Sequence, residues 1–145
     1  MLISSKGQYA LRMMLDLSIH GDGSSVAVKT IAKRQGLSEK YLEQVISTLL
    51  RAGLLRSTRG PKGGYRLAKA PECYTVGMIF RATEGNLDAT DSESFRDDTP
   101  DPELNTVVDR VFTQLNGSIN NVLDEITLED LTKEYNDQSD YIYLI

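Results

Sequence analysis

The sequence predicts a mainly α-helical protein with one small β-hairpin, laid out as a compact head followed by a long helix. Three observations lead there. Apolar residues recur at helical spacing through four stretches. Two short β-prone runs flank a Gly-rich turn. One apolar seam then continues for more than twenty residues near the C-terminus. Charge divides the chain the same way: the formal net charge is −5 over 145 residues, yet residues 1–70 hold twelve Lys or Arg against four Asp or Glu (+8) and residues 71–145 hold four against seventeen (−13). A basic block within an acidic chain is the electrostatic footprint of a polyanion-binding head joined to a body that avoids the polyanion.

Ser4 and Ser5 precede a first helix, Gly7 to His20, with Ala10, Met13, Met14 and Leu17 on one face, closed by Gly21-Asp22-Gly23. A short helix follows from Val28 to Gln35, with Ile31 and Ala32 inward, and Gly36 suits the left-handed turn at its end. Ser38 is the expected N-cap of a third helix whose Leu42, Val45, Ile46, Leu49 and Leu50 form the core face before Gly53 stops it. Two helices joined by a Gly-containing turn form a helix-turn-helix, whose second helix is available to the major groove of DNA. Its outward face carries Lys40, Glu43, Gln44, Ser47 and Arg51, donors and acceptors suited to base edges and phosphates, although an ordinary solvated face has the same composition.

Leu54 to Thr58 and Tyr65 to Ala68 read as strands around Arg59-Gly60-Pro61-Lys62-Gly63-Gly64, a hairpin with a cationic tip. An arginine at a narrow tip fits the minor groove, and glycines permit close approach. A nucleotide cradle is disfavoured, since the G-x-x-x-x-G-K-[ST] spacing is missing and no helix follows the glycines. The expected architecture is therefore a winged helix-turn-helix head over residues 1–70. A fourth helix, Thr75 to Glu84, and an acidic linker fill residues 71–101. Asp101-Pro102 opens the long helix, with Asp as N-cap and Pro at the first helical position. Its seam, Leu104, Val108, Val111, Leu115, Ile119, Val122 and Ile126, runs about 33 Å at 1.5 Å per residue and is best used against a twin helix, making a homodimer suited to a partly palindromic site. Thr127 to Asp130 resembles a capping box that starts a short terminal helix ending near Tyr135, so residues 102–145 form a dimerisation helix, that helix and a tail.

Several functions are disfavoured. No run approaches the roughly 20 apolar residues of a membrane span, and MLISSKGQYA lacks the apolar core of a secretion signal, so a cytoplasmic protein without a membrane partner is expected. One cysteine, Cys73, allows no internal disulfide and is too little for a zinc or iron–sulfur centre; it reads as an inert thiol, with redox sensing the alternative. His20 reads as a cation at a helix C-terminus rather than a general base, and no constellation for catalysis is visible.

Ser38-Glu-Lys-Tyr-Leu-Glu-Gln44, Arg51-Ala-Gly-Leu-Leu55, Arg59-Gly-Pro-Lys-Gly-Gly-Tyr65 and the opening Ser5-Lys-Gly-Gln-Tyr-Ala10 together resemble the Rrf2 family of bacterial winged-helix regulators. The resemblance implies that the second helix of the motif enters the major groove, the wing reaches the minor groove and the long helix joins two subunits. It places Ser38 on phosphate, Tyr41, Glu43 and Gln44 near bases or backbone, and Arg59 in the minor groove, with Lys40, Arg51 and Lys62 as further DNA contacts. Many members of the family sense iron–sulfur status or nitric oxide through three cysteines between the fourth helix and the long one. Here Leu87 to Glu103 contains none, so no cluster is expected.

Thr127-Leu-Glu-Asp-Leu131 and Tyr141-Ile-Tyr-Leu-Ile145 resemble the cluster-free branch that represses cysteine metabolism. Repressors of that kind partner with cysteine synthase, the O-acetylserine thiol-lyase, which accepts a partner's C-terminal peptide ending in isoleucine. The implied partner residues are Tyr141, Tyr143, Leu144 and Ile145; packing of the same tail on the dimer is the other reading. A regulator of another pathway with a directly bound effector, and a winged-helix protein–protein adaptor, remain alternatives.

Overall fold

The computed structural model describes residues 2–90 and 100–144, with side chains through Tyr141. Its elements in chain order are α1 (Ser5–His20), α2 (Val28–Gln35), α3 (Glu39–Arg51), β1 (Leu55–Thr58), β2 (Gly64–Leu67), a 3-10 turn (Pro71–Cys73), α4 (Val76–Glu84), α5 (Pro102–Glu125) and α6 (Leu128–Leu144). The fold is thus mainly helical with an antiparallel two-stranded wing, as expected from the apolar spacing.

Local chemistry sets the helix ends. Ser4 caps α1 by accepting the Gly7 N–H at 3.2 Å, which starts the helix two residues before the expected Gly7. Gly36 ends α2 at φ 66, and Ser38 caps α3 by accepting the Tyr41 N–H at 3.1 Å. Ala10, Met13, Met14 and Leu17 of α1, Ile31 and Ala32 of α2, and Leu42, Val45, Ile46 and Leu49 of α3 interlock as one buried core; Leu50 packs on its rim, half-buried.

The wing pairs Leu55 with Leu67, Arg56 with Arg66, Ser57 with Tyr65 and Thr58 with Gly64. A further backbone pairing joins Val26 to Tyr65 through two hydrogen bonds of 2.9 Å, tying the segment before α2 to the outer edge of β2. Gly64 makes this approach possible: a Cβ there would run into the Val26 carbonyl. Tyr74, fully buried, fastens the wing's base, because its hydroxyl donates to the Leu54 carbonyl at 2.8 Å and accepts the Lys69 N–H at 3.0 Å.

Two features of the C-terminal half differ from expectation. The last helix continues to Leu144 rather than ending near Tyr135. No Gly or Pro interrupts residues 128–144, Thr127 and Asp130 complete the capping box through bonds of 3.0 and 3.1 Å, and Lys133 pairs with Glu129 one turn earlier. Ile126, expected to end the seam, instead caps α5 in an extended conformation, where its carbonyl accepts the Val76 N–H at 2.9 Å. Leu128 follows into the head core, fully buried.

α5 itself has no buried residue over its 24 positions. Polar bonds hold it to its own subunit, with Ile119 and Leu123 half-buried: Arg81 of α4 donates to both oxygens of Asp124 at 2.6 and 3.0 Å and to Asn120 Oδ1 at 2.9 Å, while Asn116 Oδ1 accepts the Ala89 N–H at 2.7 Å. Asn116, Asn120 and Asp124 lie four residues apart and so share one face. Most of the apolar seam is left exposed, with Leu104, Val108, Val111, Leu115 and Val122 between 44% and 57% accessible and flanked by exposed Val107 and Phe112, whereas Ile119 of the expected seam is half-buried. Among the described residues, no helix is long and apolar enough to cross a membrane.

Candidate nucleic-acid interface

The reading face grows from the way α3 is fixed. Its leucine-rich side is buried, so its outward side is presented by default, and Lys40, Glu43, Gln44, Ser47 and Arg51 are exposed along it. Ser38 sits at the N-terminus of α3, where unpaired N–H groups and the positive end of the helix dipole favour an anion. Its oxygen is occupied by the Tyr41 N–H, which leaves the hydroxyl proton to donate outward. Tyr41 is half-buried rather than free, its ring edge-on to Tyr9 of α1 at 5.7 Å, and the Arg12 guanidinium lies 5.6 Å from the Tyr9 ring. Arg51 bends back to the Ser47 carbonyl at 3.4 Å.

The presentation of this face depends on α2, and one buried charge fixes α2. Asp16 of α1, 4% exposed, accepts from Arg34 Nε at 3.0 Å, Arg34 Nη2 at 2.7 Å and Gln35 Nε2 at 2.9 Å. This bidentate fork holds the guanidinium pKa above its usual value, because the bond to Asp16 favours the charged form, and it ties the last turn of α2 to α1 just before the motif's turn. Sequence periodicity gave no hint of it: Asp16 falls among apolar positions and carries no motif.

The second group is the wing tip. Arg59 and Lys62 are exposed and make no hydrogen bond or ion pair among the described residues. Gly60 has φ 107 and its carbonyl accepts the Gly63 N–H at 2.8 Å, closing the tip, while a Cβ on Gly63 would meet the Thr58 carbonyl. Ser25 donates to Thr58 Oγ1 at 2.8 Å and steadies the wing's stem. Arg56 and Arg66, not singled out from the sequence, stand directly opposite one another in the register, a like-charge pair that costs stability unless an anion lies near. Their alternation with Leu55 and Leu67 was the available signal. No hydrogen bond or ion pair among the described residues links the wing tip to the outward side of α3, so the two groups stand as separate cationic elements of one head.

Of the expected partner-binding residues, Tyr141 is 66% exposed on the last turns of α6. The side chains of Tyr143 and Leu144, and Ile145 altogether, lie outside the described residues, as do residues 91–99 of the segment between α4 and α5. Cys73 is exposed on the 3-10 turn, and His20 stands in the last turn of α1.

Comparison with known proteins adds family membership to this geometry. Residues 3–134 match the model of the Rrf2 family, described as iron-dependent transcriptional regulators. The chain is similar to the HTH-type transcriptional regulator IscR of Photobacterium profundum, 37% identical over 95% of this chain and 79% of that protein. It is similar over a greater share of both partners to the HTH-type transcriptional regulator CymR of Bacillus subtilis, 38% identical over 99% of this chain and 98% of that protein. The solved structure of CymR, described as the global cysteine regulator of B. subtilis, superposes with a TM-score of 0.75 over 92% of this chain and 98% of that one.

The family description names iron, and binding it needs matching donors in the chain. An iron–sulfur cluster needs several thiolates or imidazoles close together. The sequence has one cysteine and one histidine, and among the described residues no group of three or more His, Cys, Asp or Glu could hold a metal ion. The donor set does not fit a cluster.

Proposed function

The chain belongs to the Rrf2 family of transcriptional regulators, and from that premise we propose that it acts in the cytoplasm as a homodimeric repressor that binds a partly palindromic DNA site through α3 and the wing. The observation that carries this reading is the pairing of two surfaces on one chain: a cationic head with unpaired Arg59 and Lys62, and a long helix whose apolar seam is left mostly uncovered by its own subunit. A twin α5 would cover that seam and set two heads at a fixed spacing. Lys40, Glu43 and Gln44 would then face a major groove, Ser38 and Arg51 its flanking phosphates, and Arg59 with Lys62 the adjacent minor groove, with Tyr41 held ready by Tyr9.

Within the family we place the chain with the CymR-like regulators, and propose that the genes it controls serve sulfur uptake and cysteine synthesis. Support comes from near-complete mutual coverage with CymR and from the cysteine-free stretch Leu87 to Glu103. In this reading cysteine synthase is the partner that tunes DNA affinity, engaging the region of Tyr141 to Ile145. The experiment is a pull-down from extract with and without residues 141–145, paired with genome-wide footprinting. Enzyme capture that depends on those residues, with footprints at sulfur genes, supports the assignment. Footprints elsewhere, with no enzyme captured, point to a regulator of another pathway. DNA affinity that does not fall with salt would instead favour a protein–protein adaptor, since neutralising phosphates must release counterions.

A further inference from the structure

One cleft of the head shares Arg66 with the wing but otherwise lies apart from the surfaces described above. It has a volume of about 420 Å³ and opens between the C-terminal turn of α1 and the exit of β2, bounded by Leu17, Asp22 and Ser24 on one side and Arg66, Lys69 and Pro71 on the other. That size lies in the range of small-molecule sites, roughly 300–1,000 Å³.

Its two walls carry opposite charge. The first wall is lined by Asp22, and the C-terminus of α1 brings the negative end of its dipole to the same place. Asp22 adopts a left-handed conformation, φ 40, and the Ser24 hydroxyl lies within hydrogen-bond distance of both Asp22 Oδ1, at 2.8 Å, and the Gly21 carbonyl, at 2.9 Å. The second wall is lined by Arg66 and Lys69, two cationic residues, and Arg56 stands opposite Arg66 across the hairpin. Among the described residues, no ion pair spans the cleft: the pairs that form are Arg34 with Asp16, Arg81 with Asp124 and Lys133 with Glu129. Opposed, unpaired charges across a small cavity with apolar floor residues such as Leu17 and Leu67 match a dipolar solute.

We propose that this cleft binds a small zwitterion, an α-amino acid with a short side chain, its carboxylate toward Arg66 and Lys69 and its ammonium toward Asp22 and the end of α1. Arg66 and Leu67 belong to β2, the strand that carries the wing, so occupancy bears directly on the element that presents Arg59.

The test uses the full chain without DNA, so its outcome is independent of the DNA-binding reading. Binding of glycine, L-alanine and L-serine at millimolar concentration is followed by ligand-observed NMR and by the thermal midpoint, with acetate, methylamine and inorganic phosphate as single-charge controls. At least one amino acid should saturate while the controls do not. Asp22→Asn, which tolerates the left-handed backbone and keeps an acceptor for Ser24, and Arg66→Gln should each weaken binding by about ten- to a hundredfold, the range carried by a charge-assisted hydrogen bond. Lys69→Gln provides a third variant outside the strands. Absence of binding by all three amino acids, equal binding of acetate or phosphate, or affinity unchanged in every variant would overturn the proposal.

Discussion

Replacing Leu115 by Asp tests the dimer at the middle of its seam. Leu115 is 44% exposed in the single chain, so a partner helix would remove from water somewhat under half of its side chain, worth roughly 1 kcal/mol. A two-fold axis counts the residue twice, giving roughly 2 kcal/mol of lost burial. Two carboxylates forced into an apolar interface add at least about 1 kcal/mol through unpaired desolvation. A total of roughly 3 kcal/mol or more corresponds to at least a hundredfold weaker association. Sedimentation equilibrium over a range of concentrations reads that constant directly, and circular dichroism establishes that the variant keeps its helices. Thr113→Asp, exposed on α5 about 200° around the helix from Leu115, is the matched control and should leave association unchanged. Equal association of Leu115→Asp and parent, or equal damage by Thr113→Asp, would refute the seam as the interface.

Arg59→Ala should weaken specific DNA binding by about 1–3 kcal/mol and lower the slope of log K against log salt by about 0.9, both read from fluorescence titrations at several salt concentrations. An unchanged slope would remove the wing tip from the contact. Tyr74→Phe should destabilise the fold by about 1 kcal/mol in urea unfolding, because the part-buried Lys69 N–H loses its acceptor, while Leu54 keeps the Ala68 N–H at 3.3 Å. Acid should loosen the C-terminal half. The Arg81 bonds hold the Asp124 carboxyl below its usual 3.8, and the Thr127 N–H and hydroxyl bonds do the same for Asp130. A depressed folded-state pKa means that the unfolded chain binds more protons near pH 4, so this contribution is complete above that pH and is lost as pH falls through the folded values. The urea midpoint should therefore fall below about pH 4, and by less in Asp124→Asn. A fall of the same size in that variant would assign the acid sensitivity elsewhere.

Much of the head was legible because its physical causes are local. Ser38 three residues before Tyr41, Gly36 after a short amphipathic run, and apolar residues at i, i+3, i+4 and i+7 each act within one or two turns, and the helix boundaries follow them closely. The wing was read from two strand-forming runs around glycines, and Gly64 proved necessary for contact with Val26, a residue nearly forty positions earlier that no local pattern marks. The candidate DNA contacts were legible as outward positions once the inward face was known. The Asp16–Arg34–Gln35 fork and the Tyr9–Tyr41 ring pair, which orient those contacts, were not, since each joins residues from different helices.

What the sequence determined by itself was the order and type of the elements, the division of charge between head and body, and the family, because periodicity, capping and motif spacing are written along the chain. Only the tertiary structure decided how α5 is held. The seam could equally have packed on its own subunit; instead Arg81, Asn116, Asn120 and Asp124 tie the helix to the head through polar bonds, and of the seam only Ile119 and the terminal Ile126 are half-buried while the rest faces outward. The physical reason is that an amphipathic pattern fixes which residues share a face, whereas the neighbour that covers that face depends on side chains brought together from distant parts of the chain.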